Sequence, residues 1–590
     1  MNNLNYGVVG NCRSAALISN TGALEWCCLP DLDSSSFFAK ILDRQKGGEL
    51  TVIAPENTRI DQQYVPRTNI LTTSFEHKKG IFEVHDFMPR YKTQPGQSHC
   101  PPDLIRYFKH IKGKTQVRFK YQPRPCYAQF DTKTEIRKEY IKTGTVNGSY
   151  ESIYLYSNLN LKKIHNAEPI TIDHDSYILI SYNQKLSDLD IDWIQMEYEK
   201  TRVYWLDWSA KNPKFPLYQN EINRSALTLK ILSYEKTGAI AAAVTTSLPE
   251  IIGGQRNWDY RFCWIRDASM TISILTKLNH YYSARRFMSY ILSLISYKDE
   301  KIQIMYGLKG QKKLTEKELT WLTGYENSRP VRIGNAAYTQ KQNDIFGVLL
   351  DVIYQYLITY KRGMADYQEE LWTVVRSLAR HVEHNWKKPD KGIWEFRSHK
   401  KHFTFSKVLS WVAMDRAGKI AQFFDMHAYV DVWDKMGRLI KADILNKGWN
   451  DKLQTFTQAY DEPHLDAANL LMEQFGFIAA DDPKYVSTVK TIQKILCRDG
   501  LMYRYLNEDD FGKPESSFTV CTFWLIKSLC KIGQKQKARK MFDDLLKHRN
   551  HLGLFSEDLD FNSKRLLGNF PQGYSHLALI DTALTLTESN

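Results

Sequence analysis

The chain has 590 residues, more than one ordinary hydrophobic core accommodates, which predicts two domains. Its 43% hydrophobic and 25% charged residues are typical of a globular protein and exclude a disordered chain. The formal net charge is +14, but the Lys and Arg residues are dispersed, which favours a solvated basic surface over a nucleic-acid site.

The first twenty residues lack the basic segment and the following apolar segment of a usual signal peptide. No run of about 18 apolar residues occurs, so no membrane span is expected. The nine cysteines include no CxxC pair, which argues against a zinc site or a disulfide framework. We therefore expect a cytoplasmic protein with no metal, cofactor, nucleic-acid or membrane partner. Export by a route without such a signal, and the oligomeric state, stay open.

Residues 1–190 alternate short β-rich runs with turn signals. Residues 50–55 read LTVIAP, and the ILTTSFEHKKGIFEVHDFM that follows is typical of a hairpin turning at residues 78–80. Residues 152–161 and 168–183 alternate apolar and polar positions with period two. Strands at this spacing, without helices between them, predict an antiparallel β-sandwich domain.

Residues 191–216 are predicted to form a linker helix, because the stretch from 187 to 211 has helical patterning and Pro213 and Pro216 end it. A helical domain over residues 217–590 follows, in which short connections alternate with long ones. Its twelve predicted helices span residues 217–234, 266–278, 280–297, 336–361, 365–387, 403–424, 426–446, 464–476, 482–496, 516–532, 534–549 and 573–587. This pattern predicts six helical hairpins closed in a ring, an (α/α)6 barrel, with the long loops gathered at one end to form a pocket.

The long connections have unusual contents. Residues 255–267 read QRNWDYRFCWIRD, in which aromatic rings are set among paired charges. Such a mixture suits a sugar pocket, where ring faces cover C–H surfaces and charged groups hold hydroxyls. On composition alone, a buried structural ion-pair cluster is an equal alternative. Residues 323–337, 392–407, 499–518 and 552–576 also place a carboxylate or an Arg beside an aromatic residue.

Other chemistries lack their motifs. The sequence contains no HExxH, no GxGxxG in a strand–turn–helix context and no GxxxxGK[ST]. His381 and His384 are the nearest approach to a metal-ligand pair, and their spacing is more typical of a helix surface.

Several ordered motifs resemble those of glycoside hydrolase family 15, the glucoamylase and trehalase family. They are YGVVGNCRSAALISNTGALEWCCLP, TSLPE, RNWDYRFCWIRDAS, SRPVRIGNAA, GIWEFR, HFTFSKVLSWVAMDRA, MYRY, GLFSEDLD and LGNFPQGYSHL. The resemblance covers nearly the whole chain. It implies a β-sandwich before an (α/α)6 barrel, in agreement with the strand-then-helix pattern.

The resemblance also implies hydrolysis of α-glucosidic bonds with inversion by two carboxyl groups. One is a protonated acid beside the glycosidic oxygen, and the other is an ionised base that holds water on the opposite face. Glu395 in GIWEFR matches the acid, with apolar neighbours that favour its protonated form. Glu557 in LFSED matches the base. Glu326, Asp558 and Asp560 are rival carboxylates.

Further residues match the family's glucose site. Arg266 and Asp267 match the pair that grips the outer hydroxyls of the terminal glucose, and Arg504 matches another glucose-binding arginine. Arg329 and Arg332 are candidates for the same pocket. The candidate ring contacts are Trp258, Tyr260, Trp264, Trp394 and Tyr306, each of which has the barrel core as its alternative.

One departure affects the expected substrate. Fungal glucoamylases carry a Trp two positions before the Arg of the RP element, where this chain has Asn327. The expected substrates are therefore soluble α-glucosides. The favoured function is a glucoamylase-type exo-α-glucosidase that releases β-glucose from non-reducing ends of malto-oligosaccharides or glycogen-type chains. The alternative is an α,α-trehalase that uses the same glucose site, and a remote one is a non-catalytic sugar-binding protein.

Overall fold

The computed structural model describes residues 3–94, 96–295, 302–360 and 368–588. Short strands fill its first part. Their bounds are β1 (Tyr6–Gly10), β2 (Ala15–Ser19), β3 (Leu24–Cys28), β4 (Ser36–Phe38), β5 (Glu49–Ile53), β6 (Arg59–Tyr64), β7 (Leu71–His77), β8 (Gly80–Phe87), β9 (Tyr91–Gln94), β10 (Gln97–His99), β11 (Asp103–Gly113), β12 (Thr115–Gln122), β13 (Thr132–Ile136), β14 (Ile141–Thr145), β15 (Ser152–Ser157), β16 (Ile170–Ile172) and β17 (Ser176–Tyr182).

Fifteen of these strands form two large antiparallel sheets, and β9 pairs with β10 in a separate two-stranded sheet. One large sheet has the order β1-β2-β3-β5-β12-β16 with β4 beside β3, and the other has the order β13-β14-β15-β17-β11-β8-β7-β6. β7 and β8 make the predicted hairpin, in which His77 lies opposite Gly80. Phe108 of the second sheet meets Phe119 of the first edge-to-face, with ring centroids 5.6 Å apart. Aromatic rings therefore fill the space between the sheets, and the predicted antiparallel β-sandwich is confirmed.

Two short helical segments lie between strands of the sandwich, and the rest of the described chain is mainly helical. The helices are α1 (Pro125–Ala128), α2 (Leu161–His165), α3 (Ile191–Ser209), α4 (Gln219–Leu232), α5 (Ile265–Lys277), α6 (Tyr281–Leu294), α7 (Asp344–Thr359), α8 (Gln368–Asn385), α9 (Thr404–Phe423), α10 (His427–Lys447), α11 (Pro483–Leu496), α12 (Thr519–Lys531), α13 (Lys535–Leu546) and α14 (Gly573–Glu588). None of the helices in the described ranges combines the length and the apolar character needed to cross a membrane.

The predicted linker helix corresponds to α3. Asp190 caps its start, because the Asp190 side chain accepts a hydrogen bond from the Trp193 N–H at 2.7 Å. The helix packs against the sandwich: the Arg90 N–H donates to the Thr201 hydroxyl, and the Tyr91 hydroxyl donates to Glu197. The boundaries at residues 190 and 216 stay a prediction.

Six inner segments close a ring. In chain order α5, α7, α9, the 3₁₀ segment Ala467–Leu471, α12 and α14 each pack against the next, and α14 packs back against α5. The outer helices α4, α6, α8, α10, α11 and α13 cover this ring. The reason lies in the sequence: α12 and α14 are buried almost all round, whereas α13 buries only one stripe. The predicted (α/α)6 barrel is therefore confirmed.

Two predicted helices differ from the structure. Residues 464–476 contain only the 3₁₀ segment Ala467–Leu471, because the Asp466 side chain caps the Ala468 N–H and the Asn469 side chain bonds to neighbouring backbone carbonyls. The helix predicted from residue 336 instead begins at Asp344, after a separate 3₁₀ turn, Ala336–Thr339. The predicted helix ends at residues 296–297, 361 and 365–367 lie outside the described residues.

Candidate active site

A cavity of about 840 Å³, including its open mouth, lies at the end of the barrel where the inner helices begin. Eight of the residues that the sequence predicted for the site line it together: Trp258, Tyr260, Trp264, Arg266, Asp267, Trp394, Glu395 and Arg504. They come from connections that precede α5, α9 and α12, so closure of the ring brings them together.

Arg266 and Asp267 occupy the first turn of α5 at the floor of the cavity. The Arg266 Nε donates to Asp267 Oδ1 at 3.0 Å, and its Nη1 donates to Asp344 at 3.2 Å. Two carboxylates therefore hold a guanidinium that is only 6% exposed. The result is a fixed donor and acceptor pair of the kind that recognises adjacent hydroxyl groups.

Glu395 faces the cavity from the loop before α9. Its backbone has φ of +63°, a strained conformation for a residue other than glycine. The Trp264 indole N–H donates to Glu395 Oε1 at 2.8 Å. Burial raises the pKa of Glu395, and the Arg266 guanidinium and the Trp264 hydrogen bond offset part of that rise. A carboxyl group with a raised pKa suits a proton donor near neutral pH.

Glu557 lies behind the cavity wall and is 1% exposed. Its Oε2 accepts the Asn569 N–H at 3.1 Å, and its Oε1 makes no hydrogen bond within the described residues. Burial and the nearby charge of Glu250 raise the pKa of Glu557, whereas the Tyr260 hydroxyl acts to lower it. Tyr260 itself lines the cavity, so the residue whose hydroxyl acts on the Glu557 carboxyl borders the open space.

Glu250 also lines the cavity, although it was not among the predicted site residues; it is the last residue of the TSLPE motif. The Arg504 Nη2 donates to Glu250 Oε2 at 2.9 Å, and Arg256 lies 4.0 Å from the same oxygen. Within the described residues, carboxylate oxygens of Glu250, Glu557 and Asp558 lie within 4.8 Å of one another, close enough to hold a cation. Arg504 already supplies positive charge to this cluster.

Aromatic rings cover the remaining walls. The Trp394 indole N–H donates to Asp466 at 2.9 Å, which fixes the ring edge-on against Phe518. Trp264 and Tyr260 meet edge-to-face at 5.3 Å. Trp258 lies nearer the mouth and is partly exposed. Such rings offer apolar faces to the C–H surfaces of a sugar.

Two predicted site residues lie elsewhere. Tyr306 is 1% exposed, its strand pairs with Cys263–Trp264, and its hydroxyl accepts the Gln303 N–H, so it belongs to the core beneath the site. Arg329 is exposed and borders a separate surface depression. The other candidate arginine, Arg332, borders the same depression, and its guanidinium lies over the Trp258 ring at 4.6 Å from the centroid. The structure therefore does not bring Tyr306 or Arg329 into the cavity.

Comparison with known proteins identifies the family. Residues 217–584 match the family described as Glycosyl hydrolases family 15, and residues 5–166 match the family described as Trehalase-like, N-terminal. The chain belongs to glycoside hydrolase family 15. This member of the family is therefore an enzyme that hydrolyses glycosidic bonds.

Relatives align with this family 15 chain over nearly its full length. It is 35% identical to a trehalase of Thermoplasma volcanium over 594 residues, covering 99% of the chain and 93% of the relative. It is 34% identical to a trehalase of Mycolicibacterium smegmatis, covering 98% of the chain and 90% of the relative. A bacterial glucoamylase complexed with acarbose has a similar fold, with a TM-score of 0.71, 13% identity, and coverage of 100% of this chain and 94% of that one.

Proposed function

We propose that this family 15 enzyme is an α,α-trehalase that hydrolyses trehalose to two glucose molecules with inversion. The observation that carries the proposal is the full-length similarity to relatives named trehalase, which extends over the N-terminal region as well as the barrel. The sequence alone favoured a glucoamylase and kept trehalase as the alternative. The likeness to a bacterial glucoamylase, at 13% identity, concerns the fold only.

In this proposal one glucosyl unit of trehalose lies on the cavity floor. Arg266 and Asp267 hold its hydroxyl groups, and Trp264 and Trp394 cover its C–H surfaces. Glu395, whose pKa is raised by burial, gives its proton to the bridging oxygen. The second glucose leaves with its anomeric configuration unchanged.

Glu557 is the proposed general base. In its ionised form it accepts a proton from a water molecule that attacks the anomeric carbon on the face opposite to Glu395. The unpaired Oε1 is the atom proposed to hold that water, while Oε2 is fixed by the Asn569 N–H. Arg504 and Tyr260 stabilise the ionised carboxylate, because both act against the rise in its pKa.

A substrate comparison with anomer analysis tests the proposal. We expect purified enzyme to hydrolyse trehalose with kcat/KM at least tenfold above that for maltose or maltotriose. Proton NMR at early times should show one β-glucose and one α-glucose for each trehalose cleaved. A preference for maltotriose would restore the glucoamylase assignment, and release of α-glucose alone would contradict inversion.

A further inference from the structure

A short loop, residues 509–512, stands at the mouth of the cavity and is held from both sides. On one side the Arg256 guanidinium donates to both oxygens of Asp509, at 2.6 and 3.1 Å, and also to the Gly512 carbonyl at 2.8 Å. Arg256 is only 8% exposed, so this anchor is shielded from water. We call residues 509–512 the rim loop.

On the other side the rim loop is tied to the segment that carries Glu395. The two oxygens of Asp510 accept the backbone N–H groups of Arg397 and Ser398, at 2.5 and 2.8 Å. Because Arg397 is two residues beyond Glu395, the rim loop and the proposed acid are parts of one hydrogen-bonded unit. The position of the rim loop is therefore fixed relative to the bond that is cleaved.

Side chains of the rim loop and its neighbours form a stacked layer at the opening. Phe511 meets Trp258 edge-to-face with centroids 5.3 Å apart, and the Arg397 guanidinium lies over the Trp258 ring at 4.2 Å. Arg397 is also paired with Glu316 at 3.1 Å, which limits its rotation. Aromatic rings stacked with guanidinium groups make a stiff apolar wall with few rotatable bonds.

The exposed fractions of the lining residues show which end of the cavity is the floor and which is the mouth. Arg266 at the floor is 6% exposed, whereas Trp258, Arg397 and Phe511 are partly exposed and Asp510 is exposed. A sugar gripped by Arg266 and Asp267 therefore directs the unit linked to its anomeric carbon toward Trp258 and the rim loop. The position of this second sugar is therefore bounded by side chains of a loop that hydrogen bonds hold from two sides.

We propose that the rim loop is the outer wall of the second-sugar position and limits the enzyme to substrates of two sugar units, with Asp510 and Phe511 as the residues that determine this specificity. The proposal rests on the proposed function only in taking the second unit to be the glucose of trehalose. It predicts that this glucoamylase-like barrel does not act on long chains, since an added sugar would have to displace Phe511 from Trp258.

The test compares trehalose with a trisaccharide in which one of its two glucose units carries an additional α-1,4-linked glucose. The scissile bond and one free glucosyl end are the same in both substrates, so only the second-sugar side differs. We expect the wild-type enzyme to cleave the trisaccharide with kcat/KM at least tenfold below that for trehalose. Phe511→Ala and Asp510→Ala should each reduce this discrimination to threefold or less.

A matched control is Leu506→Ala, an exposed residue of the same connection that does not line the cavity. It should keep the wild-type discrimination. Equal cleavage of both substrates by the wild type would overturn the proposal, as would unchanged discrimination in folded Phe511→Ala and Asp510→Ala variants. If the wild type cleaves no trehalose, the proposed function fails. The role of the rim loop is then tested independently by comparing kcat/KM for maltose and maltotriose in the wild type and in the same variants.

Discussion

Glu395 and Glu557 differ in their surroundings, although burial raises the pKa of both carboxyl groups. Glu395 lines the cavity and accepts a hydrogen bond from Trp264, whereas Glu557 does not line it and interacts with Glu250 and the Tyr260 hydroxyl. The resemblance to family 15 implied one neutral and one ionised carboxyl group. Burial alone does not separate the two groups, so the neighbouring charges and hydroxyls must do so.

Amide substitution of the two carboxyl groups tests their proposed roles. Glu395→Gln and Glu557→Gln should each lower kcat on trehalose by about 100-fold or more, since positioned proton transfer contributes about 10²–10⁴-fold. The melting temperature should change little, because an amide has the same shape. Glu508→Gln, an exposed carboxylate on a cavity loop, is the control and should keep full activity. Near-normal turnover by Glu557→Gln would contradict the assignment of Glu557 as the general base.

The acidic side of the pH profile should report the neighbours of Glu557. The charge of Glu250 raises the pKa of Glu557, so Glu250→Gln should shift the acidic limb of kcat/KM to lower pH. The Tyr260 hydroxyl lowers the pKa of Glu557, so Tyr260→Phe should shift the same limb to higher pH. The two opposite shifts, measured as kcat/KM from pH 4 to 9, are the expected result. Shifts in the same direction would show that another group controls this limb.

At the scale of elements, short strands and loops place the site on the ends of the inner helices. Residues Ser517–Phe518, Asp558–Leu559 and Leu566–Leu567 form a three-stranded sheet beside the cavity. The Thr519 N–H at the start of α12 donates to the Glu557 carbonyl, and the Glu557 N–H donates to the Asn569 carbonyl. The Glu557 backbone is thus held by both flanks of this sheet.

Gly568 packs directly against Glu557, so a larger residue at this position should displace the Glu557 side chain. Its φ is +73°, and an added Cβ would lie 2.6 Å from the Glu557 Cβ and 2.7 Å from Oε2. Gly568→Ala should lower stability by roughly 1–2 kcal/mol for the left-handed backbone and also lower kcat at least tenfold by displacing Glu557. The measurements are the melting temperature and kcat on trehalose.

Gly533→Ala separates the two effects. Gly533 has a φ of +87° and no atom within 4 Å of an added Cβ. It should show a similar loss of stability with unchanged kcat. Equal activities of the two variants would show that Gly568 does not position Glu557.

At the scale of the whole molecule, the sandwich and the barrel share buried polar contacts. The Trp26 indole N–H donates to the Val244 carbonyl at 3.0 Å, and Arg261 in the motif before α5 donates to the Ser34 carbonyl at 2.7 Å. Glu235 accepts from Arg90 at 2.5 Å and from Arg286 at 3.1 Å, with Lys230 at 4.0 Å. These contacts of the N-terminal region therefore help to hold in place the segment before α5, which contributes residues to the site.

Glu235 should contribute to acid sensitivity. Although burial acts in the opposite direction, Arg90, Lys230 and Arg286 lower the pKa of Glu235 from 4.5 to about 2. Its stabilising effect is complete above pH 4.5 and is lost as the pH falls toward 2. Glu235→Gln should lower the melting temperature at pH 6 and reduce its further fall between pH 6 and pH 3.

The control for this prediction is Glu199→Gln, which removes an exposed pair with Arg202 on α3. It should keep the wild-type dependence of melting temperature on pH. A Glu235→Gln variant with the same pH dependence as wild type would show that this ion cluster does not contribute to acid unfolding.

The sequence by itself determined the division into sandwich and barrel, the hairpin at residues 78–80 and eight of the cavity residues. Period-two and helical spacing are local consequences of which face of an element is buried, and the motifs are local as well. Only the tertiary structure decided that Tyr306 lies in the core, that Arg329 is exposed, and that Glu250 and the rim loop border the cavity. Glu250 meets Arg504 across 254 residues of chain, and closure of the ring creates that contact. No spacing along the sequence records such a contact, because it depends on how all six inner segments pack.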